Sequence, residues 1–377
     1  MGLKLRDVVV LGVGMTPFGR FPDKDYAQLG RDAVLEALKD AGVEWKDIPV
    51  VFCGNNTQGN TPGQRVQLEL ASRGIPIFNI KNACAAGAAA FHMAYLMVGS
   101  GVYDIVLAMG VEKTPRGLAA GGQTDSEYEE LMGTTVRASK YAQLLQREIY
   151  EEKVTMEQVA RVSVKNHKNG CYNPRSQYKK MFTVEEILNS RMICPPYLTL
   201  LQCCPTTEGA AAAILCTEKV ARKHMTPPFI KVAAGALTSR PYVQGDFLDL
   251  SGMPRTAAKQ VYEASGYGPE DLDLVELHDC FAIAELKHYE NLGLCSDGEA
   301  GRLIDEGITE IGGRIPVNTS GGLLSKGHPL GATGVAQICE LVWQLRGQAG
   351  QRQVKDPKLG LAHTQGNQAC CINMLKK

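Results

Sequence analysis

The sequence lacks the long apolar runs of a membrane-spanning protein. No stretch of about 18 or more consecutive apolar residues occurs in the 377-residue chain, and a helix needs about 20 such residues to cross a bilayer. The N-terminal segment MGLKLRDVVVLGVGMTPFG has only a short apolar run and no small-residue cleavage site, which predicts a first strand and not a secretion signal. We therefore expect a folded protein that does not enter a membrane.

The chain also has no excess of charge of either sign. Lys plus Arg and Asp plus Glu both total 40, so the formal net charge is zero. Proteins that bind the phosphate backbone usually carry a basic excess, so the charge balance disfavours nucleic acid as a partner.

The twelve cysteines form no C-x-x-C pair. Scattered cysteines in a chain of this length argue against a zinc ribbon and a disulfide framework and fit a reducing compartment. The C-terminal residues NMLKK are not a peroxisomal signal. We expect a cytoplasmic location.

One supersecondary unit occurs twice in the chain. Residues 31–53 show apolar residues at helical spacing, then Gly42, an Asp-containing turn and an apolar strand. Residues 255–277 repeat that order, with Gly266 in place of Gly42. Strands that alternate with helices predict an α/β fold made of two similar halves.

A second match strengthens the repeat, because Cys84 and His328 each stand three residues before a glycine at the start of a predicted helix. We place the first half at residues 1–235 and the second at 236–377. The stretch of about 115–205 is too long for a simple connection and is predicted to be a partly helical loop domain near the active site.

Cys84 is the first candidate for catalysis. It heads the segment NACAAG, where small residues open an Ala-rich helix. The free N–H groups and dipole of a helix N-terminus can lower a thiol pKa from about 8.5 to between about 3.5 and 7.5. The alternative is an inert thiol packed at a helix start, since free cysteine is among the most buried residue types.

Two further motifs carry candidate acid–base groups. His328 lies in SKGHPLGATG, where glycines let a ligand approach the backbone and the imidazole can activate a thiol. His278, Asp279 and Cys280 follow an apolar strand in LVELHDCFA, at the strand end where α/β sheets place ligands. His278 and Cys280 supply only two metal ligands, so acid–base chemistry is favoured over a metal site.

Together these motifs resemble the thiolase superfamily. NACAAG resembles its nucleophile loop, GHPLGATG its histidine motif, and HDCF the variant found in sterol-carrier-protein-type and archaeal-type thiolases. The resemblance covers essentially the whole chain. It implies the thiolase fold, in which two βαβαβαββ halves form a five-layered α-β-α-β-α sandwich with a loop-domain insertion, commonly as a dimer.

The resemblance also implies roles for individual residues. Cys84 would attack the 3-keto carbon of a 3-oxoacyl-CoA, activated by His328, and His278 would help to stabilise the enolate that is released. Cys280 would protonate that enolate and deprotonate the incoming coenzyme A. Backbone N–H groups of Cys84 and Gly366 would form a second oxyanion hole.

The C-terminal loop departs from the common thiolase pattern. Many thiolases have a Cys-x-Gly there, whereas this chain reads LAHTQGNQACC, with His363 near the cysteine position and Asn367 and Gln368 in place of glycines. Because the HDCF variant supplies its own cysteine, this departure supports Cys280 as the acid–base group. The polar pair puts the shape of the acyl pocket in question.

The leading function is thiolytic cleavage of a 3-oxoacyl-CoA, or the reverse Claisen condensation. The substrate is acetoacetyl-CoA-like, or branched or aromatic, such as benzoylsuccinyl-CoA. One alternative is an aldolase-like enzyme of the same fold that cleaves a hydroxyacyl-CoA. The other is a non-catalytic lipid-carrier or scaffold subunit.

The expected cofactors and partners follow from the same resemblance. Coenzyme A is the co-substrate and no permanently bound cofactor is expected, since GVGMTP lacks the spacing of a dinucleotide-binding loop. A homodimer core is expected, with a small partner subunit that has an OB-fold and a zinc ribbon as a further hypothesis.

Overall fold

The computed structural model describes residues 5–115, 131, 136–241 and 250–377. The strands are β1 Val8–Met15, β2 Val51–Gly54, β3 Ile77–Ile80, β4 Ile105–Lys113, β5 Met192–Cys194, β6 Leu198–Thr199, β7 Glu208–Thr217, β8 Lys231–Ser239, β9 Leu274–Glu276, β10 Leu359–Gln365 and β11 Ala369–Lys376. The α-helices are α1 Tyr26–Ala41, α2 Pro62–Leu70, α3 Ala86–Gly99, α4 Arg137–Tyr150, α5 Met156–Cys171, α6 Val184–Leu188, α7 Glu218–Ala221, α8 Gly252–Ser265, α9 Ala282–Asn291, α10 Ala300–Asp305 and α11 Thr333–Arg346.

The two halves use the same strand order. The first half runs β3-β2-β4-β7-β1 and the second continues as β8-β11-β10-β9, joined through the pair Val9 and Lys231. A fifth strand beside β9 is reduced to one parallel bridge between Val275 and Val317. The predicted pair of similar halves is confirmed, with that single reduction in the second half.

The repeated helix–turn–strand unit is present in both halves. α1 begins at a capping box on Asp25 and ends at Gly42 with φ 64°, and α8 ends at Gly266 with φ 74°. Both glycines adopt the left-handed conformation that ends helices and that other residues adopt at a cost. A 3₁₀ turn and then a strand, β2 or β9, follow each glycine, as the sequence predicts.

α3 and α11 form the central layer. α3 packs against β2 and β4 on one side and β8 and β11 on the other, while α11 contacts both halves of the sheet and α3 itself. α1 and α2 cover the outer face of the first half, and α8 covers that of the second. This is the predicted five-layered sandwich, and it explains why α3 is apolar nearly all round.

The described part of the predicted loop domain, residues 136–205, is partly helical, as expected, and contains α4, α5 and α6. Residues 116–130 and 132–135 of that prediction lie outside the described residues. The division predicted between residues 235 and 236 falls inside β8, which begins at Lys231. In the described ranges, no helix has the length and apolarity needed to cross a membrane.

Candidate active site

One cavity of about 220 Å³ is lined by all five residues to which the thiolase resemblance gives a role in the reaction. It lies where the starts of the central helices meet the end of β9 and the β10–β11 turn. The candidates lining it are Cys84, His278, Cys280, His328 and Gly366.

Cys84 lies two residues before α3, on a tight turn. Ala83, just before it, has φ 47°, an unusual conformation for a residue with a side chain and one found preferentially at functional sites. The thiol is partly buried in the cavity wall, and burial raises its pKa to about 12. The lowering of this pKa that the sequence predicts is therefore not found, because desolvation of the thiol is the largest effect on its pKa.

His328 is held in one tautomer. The Thr333 hydroxyl donates to the carbonyl oxygen of Pro329 at 3.0 Å, so it accepts a hydrogen bond from the His328 Nδ1–H at 2.7 Å. The other ring nitrogen, Nε2, therefore carries the lone pair, and it has no hydrogen-bond partner. Burial keeps the pKa of His328 well below its ordinary value, so the ring is a neutral base.

His278 completes a compact group with Cys84 and His328. The two imidazole rings lie edge to face with centroids 5.0 Å apart. Cys84 Sγ and one ring nitrogen of each histidine all lie within 4.8 Å of one another. Burial lowers the pKa of His278 to about 3, so it is neutral. The same three atoms could also bind a metal ion, which differs from the His278–Cys280 pair considered from sequence.

Asp279 and Cys280 point in different directions from the same turn. The Asp279 carboxylate accepts hydrogen bonds from the backbone N–H groups of Leu323 and Leu324, so it anchors the chain before His328 and does not line the cavity. The Cys280 thiol lines the cavity, and burial raises its pKa above the ordinary value. Its carbonyl oxygen accepts a hydrogen bond from the Cys204 N–H at 3.0 Å.

Gly366 lies against the nucleophile loop. A Cβ atom on Gly366 would be 2.6 Å from the Asn82 carbonyl oxygen, so only glycine permits this approach. Its N–H donates to the Ala369 carbonyl oxygen at 2.7 Å and closes the β10–β11 turn. The Gly366 N–H, which the resemblance assigns to the oxyanion hole, is thus already hydrogen-bonded within the turn. In this structure Gly366 allows the β10–β11 turn to lie close to the nucleophile loop.

Asn367 and His363, two residues at which the C-terminal loop departs from the common thiolase pattern, lie in different places relative to the cavity. Asn367 lines the cavity. His363 lies behind the site, where its Nδ1 accepts a hydrogen bond from the His278 backbone N–H at 3.4 Å and its ring stands 4.4 Å from that of His288. His363 therefore supports the turn that carries His278.

Several lining residues escaped the sequence analysis because they come from distant segments. Arg137 and Tyr141 of α4 face the site together with Cys204, and Arg137 is close enough to act electrostatically on Cys84. Thr333 stood inside the GATG motif, and its spacing from His328 was the one available signal for its role.

Family models match both halves of the chain. The thiolase N-terminal domain model matches residues 8–189, and the thiolase C-terminal domain-like model matches residues 239–372. The chain belongs to the thiolase family. This thiolase is an acyltransferase, as the motifs predicted.

Individual relatives agree with that assignment. The acetyl-CoA acetyltransferase of Methanothermobacter thermautotrophicus is 42% identical, with 96% of this chain and 97% of the relative covered. The benzoylsuccinyl-CoA thiolase subunit BbsB of Thauera aromatica is 39% identical, with 96% and 95% covered. Among solved structures, an Ltp2-ChsH2(DUF35) aldolase matches with a TM-score of 0.87 at 26% identity over 98% of this chain and 97% of that chain.

Proposed function

We propose that this thiolase cleaves a 3-oxoacyl-CoA with coenzyme A, or runs the reverse condensation, through an acyl group on Cys84. The observation that carries the proposal is the cluster in which Cys84 Sγ and a nitrogen of His278 and of His328 lie within 4.8 Å, with the Cys280 thiol in the same cavity. A nucleophile, a base and a second proton donor are the groups that such a reaction needs.

In the first half-reaction, His328 Nε2 takes the Cys84 proton as sulfur attacks the 3-keto carbon. The bond between the second and third acyl carbons then breaks, leaving the acyl group on Cys84 and an ester enolate. The His328 imidazolium, with the Thr333 hydroxyl accepting from its Nδ1–H, and the neutral His278 are the donors nearest the developing charge.

In the second half-reaction, Cys280 moves the remaining protons. Its thiol protonates the enolate carbon and becomes a thiolate, and that thiolate takes the proton of the incoming coenzyme A thiol. The coenzyme A sulfur attacks the acyl-enzyme, and the Cys84 thiolate that leaves recovers its proton from His328. The cycle closes with every group in its starting state and without a permanently bound cofactor.

The cavity wall suits an aromatic acyl group. The rings of Tyr141 and Phe281 line the cavity. Benzoylsuccinyl-CoA carries an aromatic ring and acetoacetyl-CoA does not.

The surface supports an oligomer. β3 is at the edge of the sheet, and Phe78 on it is 52% exposed, while Leu68 of α2, a helix that contacts β3, is 62% exposed. An open strand edge flanked by apolar side chains suits pairing with a second copy of the chain. The name of the similar Ltp2-ChsH2(DUF35) aldolase gives two components, which supports a small second subunit for this chain as well. Full activity of the purified chain alone would contradict a requirement for that subunit.

Formation of the acyl-enzyme is the direct test. The protein is incubated without free coenzyme A with acetoacetyl-CoA, benzoylsuccinyl-CoA and other 3-oxoacyl-CoA thioesters, and adducts are mapped by intact and peptide mass spectrometry. We expect an acyl adduct on Cys84 that coenzyme A discharges. Cys84→Ala should form none, whereas Cys171→Ala, at the distant end of α5, should behave as the wild type.

A protein that cleaves these thioesters without any covalent adduct would contradict the proposal. Cleavage of a hydroxyacyl-CoA with full activity in Cys84→Ala would instead establish the aldolase alternative. The 26% identity to an aldolase of the same fold is the observation that supports this alternative. Loss of all activity in Cys84→Ala excludes the lipid-carrier or scaffold reading as well.

A further inference from the structure

Gln365 is a buried polar side chain in the wall of the cavity that makes no hydrogen bond. It is the last residue of β10, it is 5% exposed, and it lines the cavity. Its Oε1 atom is enclosed and has no hydrogen-bond partner, and its amide nitrogen makes no hydrogen bond within the described ranges. Buried polar groups in proteins are nearly always hydrogen-bonded, so this exception needs an explanation.

The strand fixes the direction of this side chain. The Thr364 hydroxyl donates to Gln337 Oε1 of α11 at 2.5 Å, so Thr364 points into the central layer. Successive side chains of a strand point to opposite faces, so Gln365 points to the other face of the sheet. Its partner in β11, Cys370, lies on that same face in the core cluster that contains Met253. Gln365 therefore faces the part of the cavity that Met253 lines.

The core cluster on this side gives the cavity apolar lining residues. Leu250, Met253 and Phe281 belong to this core or pack against it, and all three line the cavity. A polar side chain without a partner destabilises the folded protein here, and an apolar side chain of the same length would avoid that cost. A ligand that forms a hydrogen bond with the carboxamide gives a reason for a glutamine at position 365.

The carboxamide of Gln365 suits an uncharged oxygen group. It has donors at one end and an acceptor at the other. Rotation about the last torsion of the side chain, which is broad and roughly two-fold, exchanges the two ends. A hydroxyl or carbonyl oxygen of a ligand can therefore pair with it. A carboxylate buried against an uncharged amide would keep an unpaired charge, which costs more.

The burial of Gln365 indicates which part of the substrate it meets. In an acyl-CoA the pantetheine arm leads outwards to the nucleotide, so the acyl end lies furthest from solvent. We propose that Gln365 is a specificity-determining residue that forms a hydrogen bond with a hydroxyl or carbonyl oxygen on the acyl group, in addition to the 3-keto oxygen. This inference rests on the proposed function, because it takes a 3-oxoacyl-CoA as the substrate.

The test compares thioesters that differ by one oxygen. The 3- and 4-hydroxy derivatives of benzoylacetyl-CoA are each compared with benzoylacetyl-CoA, and 3,6-dioxoheptanoyl-CoA is compared with 3-oxoheptanoyl-CoA. For each thioester, kcat/KM is measured with the wild type and with Gln365→Met, which keeps the length of the side chain and removes the carboxamide. Gln368→Met is the matched control, because Gln368 lies in the same turn, is exposed and does not line the cavity. Within a pair, the ratio of the two kcat/KM values does not depend on the fraction of protein that is folded.

We expect the wild type to prefer the member with the additional oxygen in at least one pair. Gln365→Met should lower that preference about threefold to tenfold, which is the effect of one hydrogen bond between uncharged groups, and Gln368→Met should keep the wild-type ratio. A wild type without such a preference, or an equal ratio in the wild type and Gln365→Met, would overturn the inference and leave the thiolase reaction intact. Failure of the wild type to form acyl-Cys84 from any 3-oxoacyl-CoA would contradict the proposed function itself.

Discussion

The hydrogen bond between His328 and Thr333 gives the sharpest test of His328 as the proposed catalytic base. Thr333→Val keeps the shape of the side chain and replaces the hydroxyl that accepts from Nδ1–H at 2.7 Å with a methyl group. The imidazolium that forms when His328 takes the Cys84 proton then has an unsatisfied donor in a buried site. A hydrogen bond to a charged group contributes about 1.5–3 kcal/mol, so acylation should slow by about 10-fold to about 150-fold.

The measurement is the rate at which acyl-Cys84 appears after mixing with a 3-oxoacyl-CoA, by rapid quench and intact mass spectrometry. Thr333→Ser retains the hydroxyl and should stay close to the wild-type rate. Discharge of a preformed adduct by coenzyme A begins from the imidazolium, so Thr333→Val should alter that step differently from acylation. An acylation rate in Thr333→Val within about twofold of the wild type would refute the argument that Thr333 fixes the tautomer of the base.

Three further predictions concern the loop, a metal site and acid stability. Gly366→Ala should slow acylation and cost about 1–3 kcal/mol of unfolding free energy, because the new Cβ would lie 2.6 Å from the Asn82 carbonyl oxygen. Gly19→Ala, where the nearest neighbour of a new Cβ is 3.6 Å away, should do neither, and equal effects of the two substitutions would contradict this prediction. Zinc at micromolar concentration should inhibit the enzyme reversibly by binding Cys84 Sγ and one ring nitrogen each of His278 and His328, which lie within 4.8 Å of one another. Stimulation by zinc would instead favour a metal-dependent reaction. Burial lowers the pKa of His92, His167, His278 and His363 to about 3 or 4. Below the ordinary histidine pKa of about 6.5 the unfolded chain therefore binds more protons than the folded chain, so the free energy of unfolding should fall by about 1.4 kcal/mol per such histidine by pH 5.5. Denaturant titrations measure this, and a free energy of unfolding that stays constant would contradict the burial of these histidines as neutral groups.

The sequence predicted the repeated framework because the signals for it are local. A left-handed glycine after a helix, as at Gly42 and Gly266, is specified by the residue type itself. The motifs around Cys84 and His328 likewise contain their own turn and helix start. The reduction of a strand to the single bridge at Val317 was not predictable, since pairing depends on how the neighbouring connection packs.

The parts of the site that could not be predicted depend on depth and on distant contacts. The sequence predicts that Cys84 lies near a helix start, but it does not show how far water is excluded from the thiol. That exclusion raises the pKa of the thiol, whereas the sequence predicts a lowered pKa. Tyr141 and Phe281 are far apart in the chain and meet because α4 packs against the turn after β9. The Gly366 amide is paired across a hairpin whose conformation no single motif specifies.

The repeat nevertheless indicated that Cys84 and His328, the proposed catalytic pair, lie close together. Cys84 lies two residues before α3 and His328 five residues before α11, and each is followed after three residues by a glycine. In the structure these glycines face each other, because a side chain on Gly87 would overlap the carbonyl oxygen of Gly331. This contact brings the residues three positions before the two glycines, Cys84 and His328, into the same cavity. The proposed nucleophile and its proposed base are therefore matching positions in two similar motifs, and their proximity follows from the packing of the central layer.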